Sequence, residues 1–486
     1  MLTYQDYEAA VAGGRMTEFV EKVIREHQSS ALYLTALDAD AYDRQRNTTI
    51  LTFISEVKRR RPAPFKQDIK IPCNLFRRLN KQRATYLLGN GISFTRKEAR
   101  NVDGKLVTVD LTKEALGSHF DADVYKWAYA ALIHGVSFGY WTRSEAEGVR
   151  VYNYKITEFA PLWDENTNAL RAGVRFWRID PQKPMFAELY TEGGVYNFKT
   201  DTDRGTQLTL VDPNPTPYVF KTRSTEARGE WVVGEANYST LPVIPMYGSD
   251  LHQSTLVGMK ARIDSIDMVS SGFARDVRDV AKIYWLIENC GGMEDKDLDE
   301  FLDDILERHI AKVDSTSFSG DAKGSLSPYT QDVPYQASAA YIKQATEALY
   351  EDFGAIDVHT IGASSTNDHL EAAYQPLNEE VDEFEREVST AIKQGLALLG
   401  IDDDPQYKRM QIVNQKERTD MILKALNVIG RRKALEKLDW IDVDEVDEIE
   451  EDEFAQGLKR LKPRANPPQT PAEDEKEQGT GNGEQE

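Results

Sequence analysis

The sequence is short of cysteine, of long apolar runs and of basic charge, and each shortage narrows what the chain does. Its two cysteines, Cys73 and Cys290, lie far apart and make no metal or redox pair, which fits a reducing compartment. No apolar run approaches the roughly 18 residues of a membrane span, so no membrane partner is expected. The opening MLTYQDYEAAV has neither a basic leader nor an apolar h-region, so no secretory signal is expected. Lys and Arg number 59 against 81 Asp and Glu, a formal net charge of -22. A protein that grips duplex DNA shows a basic stripe that displaces phosphate counterions. With no basic surplus, a DNA partner would be handled without being gripped.

Reactive motifs are also missing. There is no HExxH, no GxSxG, no GxxxxGK(S/T) and no paired-cysteine zinc pattern. The histidines, at 27, 119, 134, 252, 309, 359 and 369, have no ligand-spaced His or Cys partner. Asn90 between Gly89 and Gly91 follows a helical pattern and lacks the third glycine and lysine of a nucleotide loop. Glu56-Val57-Lys58 resembles a nuclease fragment, but the local pattern is helical and continues into Arg59-Arg60-Arg61-Pro62. No catalytic residue, metal site or cofactor is therefore expected, and architecture is the better reading. A metal-dependent nuclease is the alternative that this fragment leaves open.

What is present is a mainly helical α+β chain with a β-rich middle. Residues 1–27 read as a helical arm with a stripe of Phe19, Val20, Val23 and Ile24. Asp38 to Val57 reads as one helix, and Asn74 to Leu88 as another that Gly89 and Gly91 end. A helix over Asp121–His134 stops at Gly135. Six aromatic-rich strands follow at roughly ten-residue spacing, beginning VSFGYWT and ending TPYVFK, an antiparallel pattern. Tyr152, Trp163, Trp177 and Tyr196 read as core and sheet residues. Helical periodicity returns from Leu256 to about Val280, then a strand in AKIYWLIENCGG and an acidic helix over 295–314.

The most patterned stretch is Tyr335 to Gly400. Ile342, Ala345, Leu349 and Phe353 form one helical stripe, and Leu377, Val381, Phe384, Val388, Ile392 and Leu396 another. Between them Gly354, Gly362, Ser364, Ser365 and Asn367 carry no periodicity. The second helix would be about 35 Å long, acidic on its other faces, and kinked at Pro376, which has no amide to donate. A helical pattern over 414–438 and an acidic run over 439–453 precede a Pro-, Gly- and Glu-rich tail expected to be disordered.

NLFRRLNKQRATYLLGNGISF, WAYAALIHGVSFGYWT with TEFAPLWDENTNALRAGVRFW, LPVIPMYGSD with ARIDSIDMVSSGFARDV, and ERTDMILKALNVIGRRKALEKLDWIDVDEVDEIEEDE together carry a resemblance. From about Asn74 to Glu453 the chain resembles the portal proteins of long-tailed bacteriophages. One departure is the basic Arg431-Arg432, where the family often has a serine. The resemblance implies a portal fold assembled into a ring of about twelve subunits, or thirteen in isolation, around a central channel. It implies double-stranded DNA packaged and ejected through that channel at one capsid vertex. It also implies partners: a terminase motor, a head-completion connector, and scaffolding and major capsid proteins. The protein would hydrolyse nothing, would reside in the virion and would assemble in the host bacterial cytoplasm; another ring-forming virion adaptor is the second alternative beside the nuclease.

By order along the chain, the resemblance divides it into an arm (1–27), a wing (28–251), a first stem helix (252–284) and a clip (285–336). A second stem helix (337–353), a tunnel loop (354–368), a channel helix (369–400), crown helices (401–455) and the tail (456–486) follow. Loop residues His359, Thr360, Ser364, Ser365 and Asn367 are then either DNA-facing or plain exposed turn residues. Glu380, Glu383 and Glu387 face either the lumen or a neighbouring subunit, and Lys343 is a candidate for a lysine ring on the channel wall. Glu294, Asp295, Asp297 and Asp299 would dock the motor and connector.

Overall fold

The computed structural model describes residues 2–52, 69–102, 105–144, 148–202, 205, 207–225, 229–280, 284–288, 325–329, 335–357, 367–410 and 422. They fall into two units, Met1–Gly362 with Glu371–Gln411, and Ala363–Leu370 with Ile412–Glu486, the second described only at 367–370 and 422.

The arm is two helices, α1 (Tyr4–Ala12) and α2 (Met16–Gln28), separated by Gly14 at φ 67. Thr3 and Asp6 close a capping box on α1. All four stripe residues of α2 are buried, packed with Ala160, Leu162, Val174, Phe198 and Leu208 of a sheet. That burial makes the arm part of the sheet's own core. The helix expected over 38–57 is split into α3 (Ala31–Asp43) and α4 (Thr48–Thr52). Gln45 adopts φ 57, and Asn47 Oδ1 accepts from the Ile50 amide at 3.1 Å, so a local cap competes with helix continuation. Residues 53–57 lie outside the described residues.

Helix α5 (Leu75–Leu88) ends at Gly89, as its pattern indicates. Next come β1 (Ile92–Phe94), the hairpin of β2 (Lys97–Val102) and β3 (Lys105–Asp110), α6 (Leu111–Leu116) and α7 (Phe120–His134). Gly135 ends α7 at φ 86, where a Cβ would come within 2.5 Å of the Gln253 backbone. Strands β4 (Val136–Ser144) and β5 (Gly148–Lys155) belong to a three-stranded antiparallel sheet. A five-stranded meander follows: β6 (Phe159–Trp163), β7 (Leu170–Arg178), β8 (Met185–Thr191), β9 (Gly194–Thr200) and β10 (Leu208–Leu210). Strand β6 has no alternation and contains Pro161, which its edge position tolerates. The hairpin of β11 (Val219–Thr225) and β12 (Gly229–Ala236) precedes β13 (Val243–Tyr247), which pairs with β4. Of the four aromatics read as core, Trp163 and Tyr196 are partly buried and Trp177 stacks on Phe186 at 5.7 Å. Tyr152 instead lies exposed on β5.

Helix α8 (Leu256–Val280) leads to β14 (Tyr284–Glu288), which pairs with β15 (Ser325–Tyr329). Helices α9 (Tyr335–Asp352) and α10 (Asn367–Leu398) follow. The whole stripe of α10 is buried among α5, α7 and β4 residues. Six such side chains contribute on the order of 10 kcal/mol of gross apolar burial. Beyond α10, β16 (Pro405–Tyr407) pairs with β1, so the start of the segment expected as crown helices is a strand. The helical pattern over 414–438 lies outside the described residues, apart from Ile422.

Candidate functional site

Helices α8 and α9 run antiparallel. Arg262 Nη1 meets Asp352 Oδ2 at 2.8 Å near one end, and the Phe273 and Tyr335 rings are 6.0 Å apart towards the other. At 25 residues α8 is about 37 Å long. Leu256, Met259, Ile263 and Ile266 are buried against Leu349, Tyr350 and Phe353. Farther along, Met268, Val277, Tyr335 and Tyr341 are exposed. Lys343 is exposed on α9, 3.8 Å from Glu347.

Where α9 ends, Gly354 takes φ 62 and turns the chain against α10. A Cβ there would stand 2.7 Å from Glu380 Cγ and 3.1 Å from the Pro376 carbonyl, so only glycine fits. Helix α5 lies beside this turn. Arg83 Nη2 donates to the Phe353 carbonyl at 2.7 Å and pairs with Glu380 Oε2 at 2.9 Å, its guanidinium 4.1 Å from the Phe353 ring centroid. Burial pushes the Arg83 pKa down, opposed by the charges of Glu380 and Glu383. Gln82 makes a reciprocal pair with Ile356, donating to its carbonyl at 2.9 Å and accepting from its amide at 3.1 Å. Tyr86 donates to Asn378 Oδ1 at 2.6 Å and stacks on Tyr374 at 5.5 Å.

Helix α10 continues through Pro376, which has no amide to donate to the Ala372 carbonyl. Several of its carboxylates are engaged. Glu383 Oε1 accepts from the Asp250 amide at 2.6 Å. Burial raises the Glu387 pKa; the His252 charge opposes this and Asp250 and Glu383 add to it. Asp382 and Glu385 both pair with Arg409, the latter at 2.9 Å. Glu380, Glu383 and Glu387 thus share one helix but meet different partners. Asn367 begins α10, whereas His359, Thr360, Ser364, Ser365, Glu294, Asp295, Asp297 and Asp299 lie outside the described residues, as do Glu56 and Lys58.

Sequence reading missed Gln82, Arg83, Tyr86 and Arg409. The available signal was an arginine four residues after Leu79, on the buried stripe of an amphipathic helix. Among the described residues no three His, Cys, Asp or Glu side chains converge to hold a metal ion, and no helix is long and apolar enough to cross a membrane.

A family model described as phage portal protein, SPP1 Gp6-like, matches residues 38–456. The portal protein of Clostridium phage phiCD119 is 23% identical over 402 residues, covering 77% of this chain and 82% of that protein. Among solved structures, the neck of an empty GTA particle computed with C6 symmetry aligns at a TM-score of 0.37 and 10% identity, over 81% of this chain and 90% of that one. An HK97 family phage portal protein from Corynebacterium diphtheriae aligns at 0.35 and 11% identity, over 71% of this chain and 96% of that one. With a family match over most of its length and an α+β architecture of helices and antiparallel sheets, the chain belongs to the SPP1 Gp6-like family of phage portal proteins.

Proposed function

We propose that this portal chain forms a closed ring of about twelve copies, thirteen in isolation, around a channel for double-stranded DNA at one capsid vertex. The observation that carries the ring is the α8–α9 pair. Met268, Val277, Tyr335 and Tyr341 stand exposed on it in a single copy, and apolar helix faces of this kind need a neighbour to cover them. In a head-to-tail ring each copy supplies one flank and covers the other. The family is structural rather than enzymatic, and no step here requires chemistry by the chain.

In this reading α8 and α9 are the stem, and Glu294, Asp295, Asp297 and Asp299 belong to the clip that docks the terminase motor and head-completion connector. Scaffolding and major capsid proteins meet the ring during assembly in the host cytoplasm. His359, Thr360, Ser364, Ser365 and Asn367 face the DNA, and Pro376 bends α10 between channel and wing. Lys343, Glu380, Glu383 and Glu387 are the channel-wall candidates, the three glutamates with their intrachain surroundings attached. The net charge of -22 suits passage without tight binding, since each neutralised phosphate adds affinity.

Electron microscopy of the purified protein tests the ring: closed rings with a central hole are expected, and a strict monomer or dimer at high concentration overturns it. Tyr341→Glu should deplete rings while leaving the subunit folded. Gly362→Pro should leave rings intact and block packaging, and normal packaging by that variant sinks the loop assignment.

A further inference from the structure

We propose that Gln82, Arg83 and Tyr86 of α5 form a clamp that fixes the end of α9 to α10, making Arg83 a positioning residue for DNA passage. The three lie at i, i+1 and i+4, on neighbouring positions of one helix. Their contacts run in reverse chain order along both sides of the junction. Gln82 holds the backbone of Ile356, Arg83 holds both the Phe353 carbonyl and Glu380, and Tyr86 holds Asn378. Arg83 reaches both sides with a single side chain. Its position below the last turn of α9 also suits a cation, because helix C-terminal carbonyls carry partial negative charge.

Packing alone does not explain an arginine here. Arg83 is only 5% exposed, and its Nε has no partner among the described residues. Burying a charge of this kind is costly, and an apolar side chain of similar volume is often as stable or more so. What an apolar replacement cannot do is fix direction: hold one carbonyl and one carboxylate at 2.7 and 2.9 Å and so set the spacing of two helices. Gly354 removes the remaining slack, since its α-carbon lies too close to Pro376 and Glu380 to admit a Cβ. The Phe353–Ile356 turn and the Asn378–Glu380 stretch of α10 are therefore held to the same short helix. Glu380 gains a role distinct from channel lining, as the anchor that receives Arg83.

The clamp is a geometric statement; its consequence for DNA rests on the portal reading, and two measurements separate them. Arg83→Met keeps the stem over the Phe353 ring and removes both polar bonds. Amide hydrogen exchange of the purified chain should then be at least about tenfold faster at 353–357 and 377–380, with the rest of α10 as protected as in the parent. A merely structural loss would raise exchange along all of α10, and either that result or no change at the two segments overturns the clamp. Arg409→Met, which removes the contacts to Asn378, Asp382 and Glu385, should leave 353–357 unchanged and so separates that side of the clamp from the α10 side. Should Arg83→Met fail to fold, Gln82→Leu decides by the same exchange readout at 353–357. In packaging assays, rings of Arg83→Met should assemble and lose packaging. Normal packaging with raised exchange refutes the positioning role alone, whereas a parent protein that forms no rings refutes the portal reading and leaves the clamp to the exchange data.

Discussion

Gly395→Ala sets two effects of opposite sign against each other inside α10. An alanine in a helix interior is favoured over glycine by about 1 kcal/mol, so propensity alone makes the change stabilising. The structure reverses the sign. A Cβ on Gly395 would lie 2.0 Å from Cζ2 and 2.1 Å from Cε2 of Trp141. Carbon atoms in contact want roughly 3.5–4.0 Å, so the ring or the helix has to move by about 1.5 Å. Trp141 is fully buried and flanked by Phe120 at 5.9 Å and Trp127 at 6.4 Å, in an interior packed too densely to absorb that shift. Overpacking of this kind costs about 1–3 kcal/mol, occasionally more, and the rigid indole places Gly395 at the upper end. A net loss of about 1–2 kcal/mol follows after the propensity gain. Thermal denaturation reads it as a melting temperature about 1–2 degrees below the parent, because the unfolding entropy of a chain this long is about 1 kcal/mol/K. Gly272→Ala in α8 is the control, because its nearest neighbour beyond the helix backbone is Arg275 Nη2 at 3.9 Å. There the propensity term stands unopposed and stability rises by about 0.5–1 kcal/mol. Trp141→Phe in the Gly395→Ala background should recover part of the loss, giving a non-additive cycle. A Gly395→Ala chain that melts at or above the parent refutes the steric reasoning.

Acid should weaken the fold in a defined window. Burial disfavours the Asp40 carboxylate, but His134 and Lys155 outweigh it and hold the group down at about 2. Asp403 is likewise held at about 2, burial being outweighed by hydrogen bonds from Thr112, Thr95 and the amides of Asp404 and Arg96. Both pKa values lie below the unfolded carboxyl, so their stability is present above about pH 4 and lost as pH falls towards 2, roughly 2 kcal/mol each. Urea midpoints from pH 5 to 2.5 check this, and Asp403→Asn should flatten the fall. Burial, with Asp267 nearby, pushes the Cys73 thiol up to about 12, so at pH 8 iodoacetamide should label it far more slowly in the native than in the urea-unfolded chain, read by peptide mass mapping. Gly354→Ala should cost at least about 1–2 kcal/mol, from a left-handed φ of 62 alone, and speed exchange at 353–357.

Much of this architecture could be read from the residues because burial leaves a period. The stripe from Leu377 to Leu396 is buried position by position, and Gly89 and Gly135 end the helices their sequence contexts indicate. What escaped reading depends on partners distant in the chain. Strand β6 carries Pro161 and a continuous apolar run, and only its edge position explains it. Strand β16 exists because Ile92–Phe94 lies beside it, a pairing across more than 300 residues that no local pattern announces. At the break between α3 and α4, the Asn47 side chain caps the second helix, a contact that periodicity alone does not reveal.

The carboxylates of α10 mark the sharpest limit of sequence reading. As letters they form an acidic rod suited to repelling phosphate from a channel wall. In the folded chain Glu380 meets buried Arg83, Asp382 and Glu385 meet Arg409, and Glu383 meets the Asp250 amide. The partly exposed pairs to Arg409 contribute about 0–1 kcal/mol each, against the order of 10 kcal/mol from the buried stripe, while Glu380 neutralises a buried charge. Apolar burial therefore decides that α10 stays seated, and the charged contacts decide where its faces point. A helix held in rotation on three sides, by α5, by Arg409 and by the loop ahead of α8, is a strut. Its rotation is set by these contacts, so the Phe353–Ile356 turn and the Asn378–Glu380 stretch of α10 can be fixed to one short helix.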